Sequence, residues 1–587
     1  MGFRKMDKLK QATILFQQER FSEALEEIKS LDNGHFSSQN DYFEFILLKA
    51  KILEKLGQFE ESLTLAKKVL QLTGKENNPL IAIKAYLILG EVYRKTGEYN
   101  KGLEEIIKGE QRLENIREKG KPIILKKQKA SLYFLKGRLY RSKGELELAL
   151  QFLHSSLKIQ KEINDPNAIG STLNVLGITY WYKGELDKAL RFFKNGLTFL
   201  DKETNKGKIA YIYVNIGSIY GLKGELNDAL TFFKKGLKLC QEVGDTQGEA
   251  SSLHNIGAVL ELKGELDLAL EYLEKSLVLK KQIGNKRYIA SSLATIALIQ
   301  KKKGNLTQAF NLFQKTFTLY KNIGNNIDTS EVLLTLIDTV LEMSHPELAK
   351  EFLSQLETLM KEGKNKIINL RYRLGKALIL KNEKKTETNL RFSSLYELVK
   401  KVVKSQQLLR TIIQEEVVDH QLTTKAIFNL CELLILELRT LGTKKVLQEI
   451  SQLTQRLLEI GQEQSSYSLL AKTYLLQGNL ALLQTDVERG RTLLKRAEKI
   501  AEEKGFDRLA VVIVNQLKRL EGTVPEWLLE ENVSLLDRLA EVKLEGLIVS
   551  LRQDRVELYP EGFTVEQPTK DQLTVFAQEL QKRKIAW

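Results

Sequence analysis

The sequence predicts an all-α protein, a right-handed α-solenoid built from stacked helix pairs. Three observations predict it: a motif repeated every 40 residues, a column of small residues in register with it, and few prolines. The motif is KGEL or KGNL and begins at Lys143, Lys183, Lys223, Lys263 and Lys303. A small residue stands seven positions before each motif glycine, at Gly137, Gly177, Gly217, Gly257 and Ala297.

The scarcity of proline fits a continuous repeat array better than a string of domains. A chain of 587 residues ordinarily divides into roughly four domains. Seven prolines leave little material for linkers between such domains. Stacked repeats need none, because each repeat packs directly on its neighbours.

Each repeat is predicted to contain two amphipathic helices. Apolar and small residues recur at helical spacing before the motif, at Leu173, Leu176, Gly177 and Tyr180. The same spacing recurs after it, at Leu186, Ala189, Leu190, Phe193 and Leu197. Gly184 lies between the two runs, where a left-handed residue would end the first helix.

The repeat divides the chain into three predicted parts. Residues 1–365 hold about nine repeats, with a regular period over 130–350 and a seven-residue insertion between Gly97 and Gly144. Residues 366–520 keep the helical pattern while the period weakens, which predicts degenerate repeats of the same kind. Residues 521–587 form a C-terminal cap.

Two interpretations of the cap remain open, a small α/β unit and a helical cap with loops. A helix is predicted from Pro525, in "PEWLLEENVSLLDRLAEV". In the α/β interpretation "KLEGLIVSL" from Lys543 and "RVELYP" are strands, "GFTVEQP" is a third extended piece, and a closing helix follows. Terminal units of solenoids are commonly atypical.

The repeat resembles the tetratricopeptide repeat (TPR) in the order of its residues. A small residue is followed by the motif glycine, then by leucine or an aromatic residue, and then by alanine. The 40-residue spacing is similar to that of the long-repeat members, which include Pins/LGN-type adaptors, kinesin light chains and prokaryotic TPR regulators. The resemblance implies a non-enzymatic scaffold or adaptor for protein–protein interaction. It also implies that the first helix of each repeat lines a concave, peptide-binding groove.

The inward columns implied by this resemblance supply the candidate groove residues. They are Lys84, Arg94, Phe134, Arg138, Arg141, Asn174, Trp181, Tyr182, Tyr211 and His254. Together they grade from basic to aromatic, and Arg, Trp and Tyr are the residue types that concentrate binding energy. A protein or peptide segment with acidic and apolar parts is therefore the expected partner.

Motifs for catalysis, metals or cofactors are absent from the sequence. It contains no phosphate-binding glycine loop, HExxH motif or GxSxG elbow. Its five histidines are far apart, and Cys240 and Cys431 have no CxxC neighbour. We therefore expect no enzyme activity, no cofactor and a reducing, cytoplasmic location without membrane insertion.

Net charge supports one further hypothesis. The chain carries +15, concentrated partly in a basic cluster within residues 117–143, so nucleic-acid binding is kept as the least favoured alternative. A second alternative is a ligand- or peptide-responsive regulatory sensor of a signalling or transcription system. The partner's identity and the oligomeric state are not determined by the sequence.

Overall fold

The structure is a computed structural model in which the described residues are almost entirely helical. They comprise 2–17, 20–29, 31, 36, 38–76, 78–116, 122–363, 365–382, 392–415, 420–441, 443–464, 466–521, 535–542 and 544–553. No strand occurs among them. The prediction of an all-α helical-repeat fold is confirmed.

The chain forms two compact units. The first comprises Met1–Ile219 and Thr231–Ser252, and the second comprises Tyr220–Leu230 and Leu253–Trp587.

The helices of the first half are α1 (Gly2–Gln17), α2 (Phe21–Lys29), α3 (Gln39–Lys55), α4 (Phe59–Glu76), α5 (Pro79–Thr96), α6 (Tyr99–Glu114), α7 (Pro122–Lys143), α8 (Leu146–Glu162), α9 (Pro166–Tyr182), α10 (Leu186–Thr198), α11 (Lys206–Leu222), α12 (Leu226–Val243), α13 (Thr246–Lys263) and α14 (Leu266–Ile283). Those of the second half are α15 (Lys286–Lys302), α16 (Leu306–Ile323), α17 (Asn326–Glu342), α18 (Pro346–Gly363), α19 (Lys366–Asn382), α20 (Phe392–Gln414), α21 (His420–Leu441), α22 (Lys444–Glu463), α23 (Tyr467–Leu483), α24 (Val487–Lys504), α25 (Asp507–Glu521), α26 (Leu535–Val542) and α27 (Leu544–Gln553).

Odd-numbered helices up to α23 are the first members of helix pairs, and even-numbered helices are the second. The two members of a pair pack on each other, as in α7 with α8 and α23 with α24. First helices also contact the first helices of neighbouring pairs, as α5 contacts both α3 and α7, and α19 contacts both α17 and α21. We call the side of the stack formed by these helices the first-helix face.

The small-residue column sets how closely the two helices of a pair approach. A Cβ atom added to Gly177 would lie 2.5 Å from the ring of Phe193, and one added to Gly137 would lie 2.7 Å from Leu153. The apolar partner stands 16 positions after the small residue in both pairs. Side chains larger than hydrogen at these positions would force the helices apart.

Each KGEL or KGNL motif turns the chain and also joins neighbouring repeats. The motif glycines all have positive φ, between 75° and 90°, at Gly144, Gly184, Gly224, Gly264 and Gly304. Three of the motif lysines reach back 36 positions to the second helix of the preceding repeat. Lys183 Nζ lies 2.7 Å from Glu147, Lys263 donates to Asn227 at 3.0 Å, and Lys303 pairs with Asp267.

The links between repeats begin the next first helix through side-chain caps. Asp165 accepts a hydrogen bond from the amide of Ala168, and Asn325 accepts one from the amide of Asp328. Such caps satisfy amides that have no partner within the helix. They recur at 40-residue steps at Asp245 and Asn285, which explains the polar link residues.

One prediction for the cap is wrong. The segment from Lys543 was expected to form a strand in the α/β interpretation, but residues 544–553 form helix α27. Its buried residues are Leu544, Leu547, Ile548 and Leu551, and their spacing places them on one helical face. Leu535–Val542 is helical as expected, whereas "RVELYP", "GFTVEQP" and the closing helix lie outside the described residues.

The close approach at Gly177 generates a stability prediction. Gly177→Ala should lower the urea midpoint of unfolding, because a steric cost of about 1–3 kcal/mol exceeds alanine's helix-propensity gain of about 1 kcal/mol. Gly74→Ala is the control, since Gly74 lies in α4 with open space around it. Far-UV circular dichroism during urea titration measures both, and equal midpoints for the two variants would contradict the packing interpretation.

Candidate functional site

The first-helix face carries charged pairs that join consecutive first helices. In each pair a lysine or arginine of one first helix meets a carboxylate of an adjacent first helix. The pairs are Glu44 with Lys84, Glu91 with Arg138, Glu261 with Lys302, Asp338 with Lys301, and Glu331 with Arg371. Many charges on this face therefore join neighbouring repeats.

An arginine cluster lies where α5 and α7 meet in the first compact unit. Arg94 donates to both carboxylate oxygens of Glu91 at 2.9 and 3.1 Å, and Arg138 donates to the same carboxylate at 3.0 Å. The two guanidinium groups lower the pKa of Glu91 to about 2, although burial alone would raise it. Glu91 thus remains charged and holds both arginines in place.

Arg141 completes the arginine cluster and, within the described part of the chain, forms no ion pair with a carboxylate. Its Nε is buried and has no hydrogen-bond partner among the described residues. Burial, followed by the positive charges of Arg138 and Arg94, lowers the pKa of Arg141 to about 10. The cluster Arg94, Arg138 and Arg141 with Glu91 therefore contains three cations and one anion.

Aromatic side chains adjoin the arginine cluster. The Arg141 guanidinium carbon lies 5.9 Å from the ring centroid of Tyr182, and the Arg138 guanidinium carbon lies 5.5 Å from that of Phe134. The rings of Tyr182 and half-buried Trp181 are nearly parallel, with centroids 6.4 Å apart. Tyr182 at the end of α9 is 67% exposed, so its ring is available to another molecule.

The structure brings six candidate residues into one patch: Arg94, Phe134, Arg138, Arg141, Trp181 and Tyr182. We call this patch the Arg–Tyr patch. Lys84 is paired with Glu44, and Asn174 accepts a hydrogen bond from Asn215 at 2.9 Å. Both therefore join neighbouring helices. Tyr211 lies on α11 and is 43% exposed.

Glu91 is the residue of this site that the sequence analysis missed. It stands in an inward column of its repeat, but it was not selected because a single carboxylate carries no motif. The signal that could have found it is the excess of cations around it. Three arginines facing one groove predict at least one buried carboxylate among them.

Most lysines of the basic 117–143 cluster have acidic partners. Lys126 pairs with Glu162 at 2.9 Å, Lys127 with Asp165 at 3.1 Å, and Lys136 with Glu110 at 2.7 Å. Lys129 lies over the ring of Tyr133, while Lys119 and Lys121 lie outside the described residues. These pairs reduce the positive charge that the cluster presents to phosphate groups.

His254 belongs to a buried polar group in the second compact unit. Its Nδ1 lies 3.4 Å from the Ser292 hydroxyl, which also accepts a hydrogen bond from Lys280 at 2.8 Å. Burial, followed by the charge of Lys280, lowers the pKa of His254 to about 3, and burial lowers the pKa of Lys280 to about 8. His254 is therefore neutral near pH 7 and connects α13 to α15.

The described part of the chain lacks both a cluster of metal-ligating side chains and a membrane-spanning helix. No cluster of three or more histidine, cysteine, aspartate or glutamate side chains there could hold a metal ion. None of the helices described above combines the length and apolarity needed to cross a bilayer. Both Cys240 and Cys431 are buried.

Stacked helix pairs with glycine-ended first helices place this chain in the class of helical-repeat solenoid proteins. Residues 128–202 and 208–282 match the family described as tetratricopeptide repeat. These two segments are therefore tetratricopeptide repeats, and the resemblance inferred from the sequence is confirmed for them. No curated protein matches the sequence.

Two solved structures are among those similar to this chain. A Rap protein complexed with competence and sporulation factor is 16% identical, with a TM-score of 0.43, and the match covers 62% of this chain and 99% of that chain. The apo quorum sensor NprR from B. thuringiensis is 18% identical, with a TM-score of 0.44, and the match covers 61% of this chain and 97% of that chain.

The lowered pKa of His254 predicts acid sensitivity. Unfolded histidine binds a proton below about pH 6.5, whereas folded His254 resists protonation until about pH 3, so stability falls as pH drops between these values. From pH 7.5 to 5.5 the wild-type chain should lose about 1.4 kcal/mol more than His254→Gln. Urea unfolding at both pH values measures this, and equal losses in the two chains would contradict it.

Proposed function

We propose that this chain is a non-enzymatic scaffold or adaptor that binds a segment of a partner protein on the Arg–Tyr patch. The observation that carries the proposal is Arg141, whose half-buried side chain forms no ion pair among the described residues and lies beside the exposed ring of Tyr182. A cytoplasmic location and the absence of a cofactor belong to the same proposal. So does the three-part division at residues 1–365, 366–520 and 521–587.

Electrostatics favour an acidic partner segment. A buried charge without a counter-ion is costly, and a carboxylate placed beside Arg141 would remove that cost. A guanidinium group also offers two parallel donors to a carboxylate, which gives geometric specificity. Arg94 and Arg138 already share Glu91, so Arg141 is the member of the cluster that is open to a ligand.

Aromatic contacts favour an apolar residue next to that acidic group. Tyr182 and Trp181 present two nearly parallel rings at the end of α9, and such rings bury large areas at little entropic cost. Tyr211, on the following first helix, is a further exposed aromatic residue of the same compact unit. An extended or helical segment carrying a carboxylate beside an apolar side chain therefore fits the Arg–Tyr patch.

The binding proposal predicts the outcome of selection from a phage library of random dodecapeptides. The wild-type full chain should enrich peptides containing Asp or Glu beside an aromatic or aliphatic residue. Arg141→Gln combined with Tyr182→Ala should weaken the selected peptides at least tenfold, because it removes the unpaired cation and the exposed ring. Fluorescence polarisation with a labelled selected peptide measures the affinity.

A matched control is available on the second helix α8. Lys158→Gln combined with Leu148→Ala makes similar changes at exposed positions and should leave the affinity within twofold of wild type. If the selected peptides bind the Arg141→Gln, Tyr182→Ala chain as tightly as they bind the wild-type chain, the Arg–Tyr patch is not the binding site. Enrichment without acidic residues would reject the electrostatic part of the proposal alone.

A regulatory sensor is the second candidate, favoured by a contact in the second compact unit. Lys504 Nζ lies 4.1 Å from the ring centroid of Tyr467 and 3.9 Å from the carboxylate of Glu225. Glu225 follows α11, so this contact joins turns far apart in sequence and would open if the curvature of the stack changed. Small-angle scattering of the peptide complex separates the candidates, since a scaffold keeps its radius of gyration and a sensor changes it.

Nucleic-acid binding through the basic 117–143 cluster remains the least favoured hypothesis. The pairs formed by Lys126, Lys127 and Lys136 use cations that phosphate binding would need. Phosphate contacts supply most of the affinity in sequence-independent binding. No observation in the described residues favours this function over binding of an acidic protein segment.

A further inference from the structure

The first-helix face of the last repeats is covered by the chain's own C-terminal helices. Helix α27 packs on α21 and α23, and helix α26 packs on α23. The Arg538 side chain of α26 also donates to the carbonyl oxygen of Leu483 at 3.4 Å. All these residues belong to the second compact unit, at a distance in sequence from the Arg–Tyr patch.

The covering helix α27 has the pattern of a helix bound in a groove. Leu544, Leu547, Ile548 and Leu551 stand at positions i, i+3, i+4 and i+7, and all four are buried. Leu539 of α26 adds another buried side chain. This spacing of apolar anchors is the one by which amphipathic helices bind hydrophobic grooves.

The covered surface differs in character from the first-helix face near the Arg–Tyr patch. In α21, buried apolar residues occupy more than half of the helix circumference, including Ala426, Ile427, Phe428, Leu433 and Ile435. In α23, six consecutive residues from Gly478 to Leu483 are buried. A helix whose apolar arc is this wide must pack against more than one neighbour, so this surface favours an apolar occupant.

We propose that the first-helix face of α21 and α23 is a docking site for an amphipathic helix, and that residues 535–553 are its displaceable resident. An external partner would present an apolar face with the same spacing as α27 and would replace it. The proposal is independent of peptide binding at the Arg–Tyr patch. It assigns the C-terminal segment the role of an intramolecular competitor.

The shortness of the resident helix supports displacement. Helix α27 has 10 residues, and isolated helices below about 12–15 residues are marginal in water. Its helical form therefore depends on contact with α21 and α23. Because the segment is tethered, an external helix competes against an effective concentration on the order of millimolar, so the wild-type chain should bind such a helix weakly.

Release of the resident helix in the full chain tests the proposal. The variant Leu547→Glu, Ile548→Glu places two carboxylates on the buried face of α27 and should free the surface. The probe is a fluorescent synthetic peptide of residues 535–553 with the wild-type sequence. We expect it to bind this variant at least tenfold more tightly than it binds the wild-type chain.

The matched control is Val542→Glu, Val549→Glu, which makes the same chemical change at two half-buried positions of the segment. It should bind the probe like the wild-type chain, and a probe carrying the Leu547→Glu, Ile548→Glu changes should bind none of the chains. The proposal is overturned if the Leu547→Glu, Ile548→Glu chain is as helical as the wild-type chain and yet binds the unmodified probe no more tightly than the wild-type chain does.

Hydrogen exchange of the unmodified chain provides a second test that does not depend on the variant folding. Amides of residues 544–553 should exchange at least tenfold faster than the buried amides of α21 and α23, because a displaceable segment opens locally. Exchange of all three helices in one cooperative step would show that α27 is an integral part of the core and would overturn the proposal.

Discussion

The close approach of two helices across a small residue is the constraint on which the other features depend. Neither helix of a pair can bury its apolar face alone, and the contact of Gly177 with the ring of Phe193 shows how little space separates them. This packing fixes the rotation of each helix, because only one face carries the small residue. Rotation then determines which side chains of the first helix meet the neighbouring repeat and which remain available to another molecule.

Charges on the first-helix face follow from that rotation. Lys84 and Arg138 point to the preceding first helix and find carboxylates there, so their positive charges are largely neutralised by the fold. Arg141 stands one turn beyond Arg138 and is left with a ring and two like charges. A binding site in a repeat array is therefore identified by the residue that departs from the pairing pattern, and Arg141 departs from it more than the other groove arginines.

Local features could be predicted from the sequence, whereas contacts between repeats could not. The period predicted the helix pairs and the positive φ of Gly184, because both depend on residues near one another in the chain. The pairing of Lys183 with Glu147 and of Glu91 with two arginines depends on how one repeat stacks on the next. The segment 544–551 was assigned wrongly in the α/β interpretation because a short apolar run fits strand and helix periods alike.

The two first-helix surfaces described above require different partners for a physical reason. Around Arg141 the surface is charged and aromatic, and the exposed ring of Tyr182 can contact water while no partner is bound. Around α21 and α23 the surface covered by α27 is mainly apolar, and exposing it would carry a large hydrophobic cost. An apolar surface of this kind must be covered before a partner arrives, which accounts for a covering helix at Leu544–Gln553 and for an exposed tyrosine at the Arg–Tyr patch.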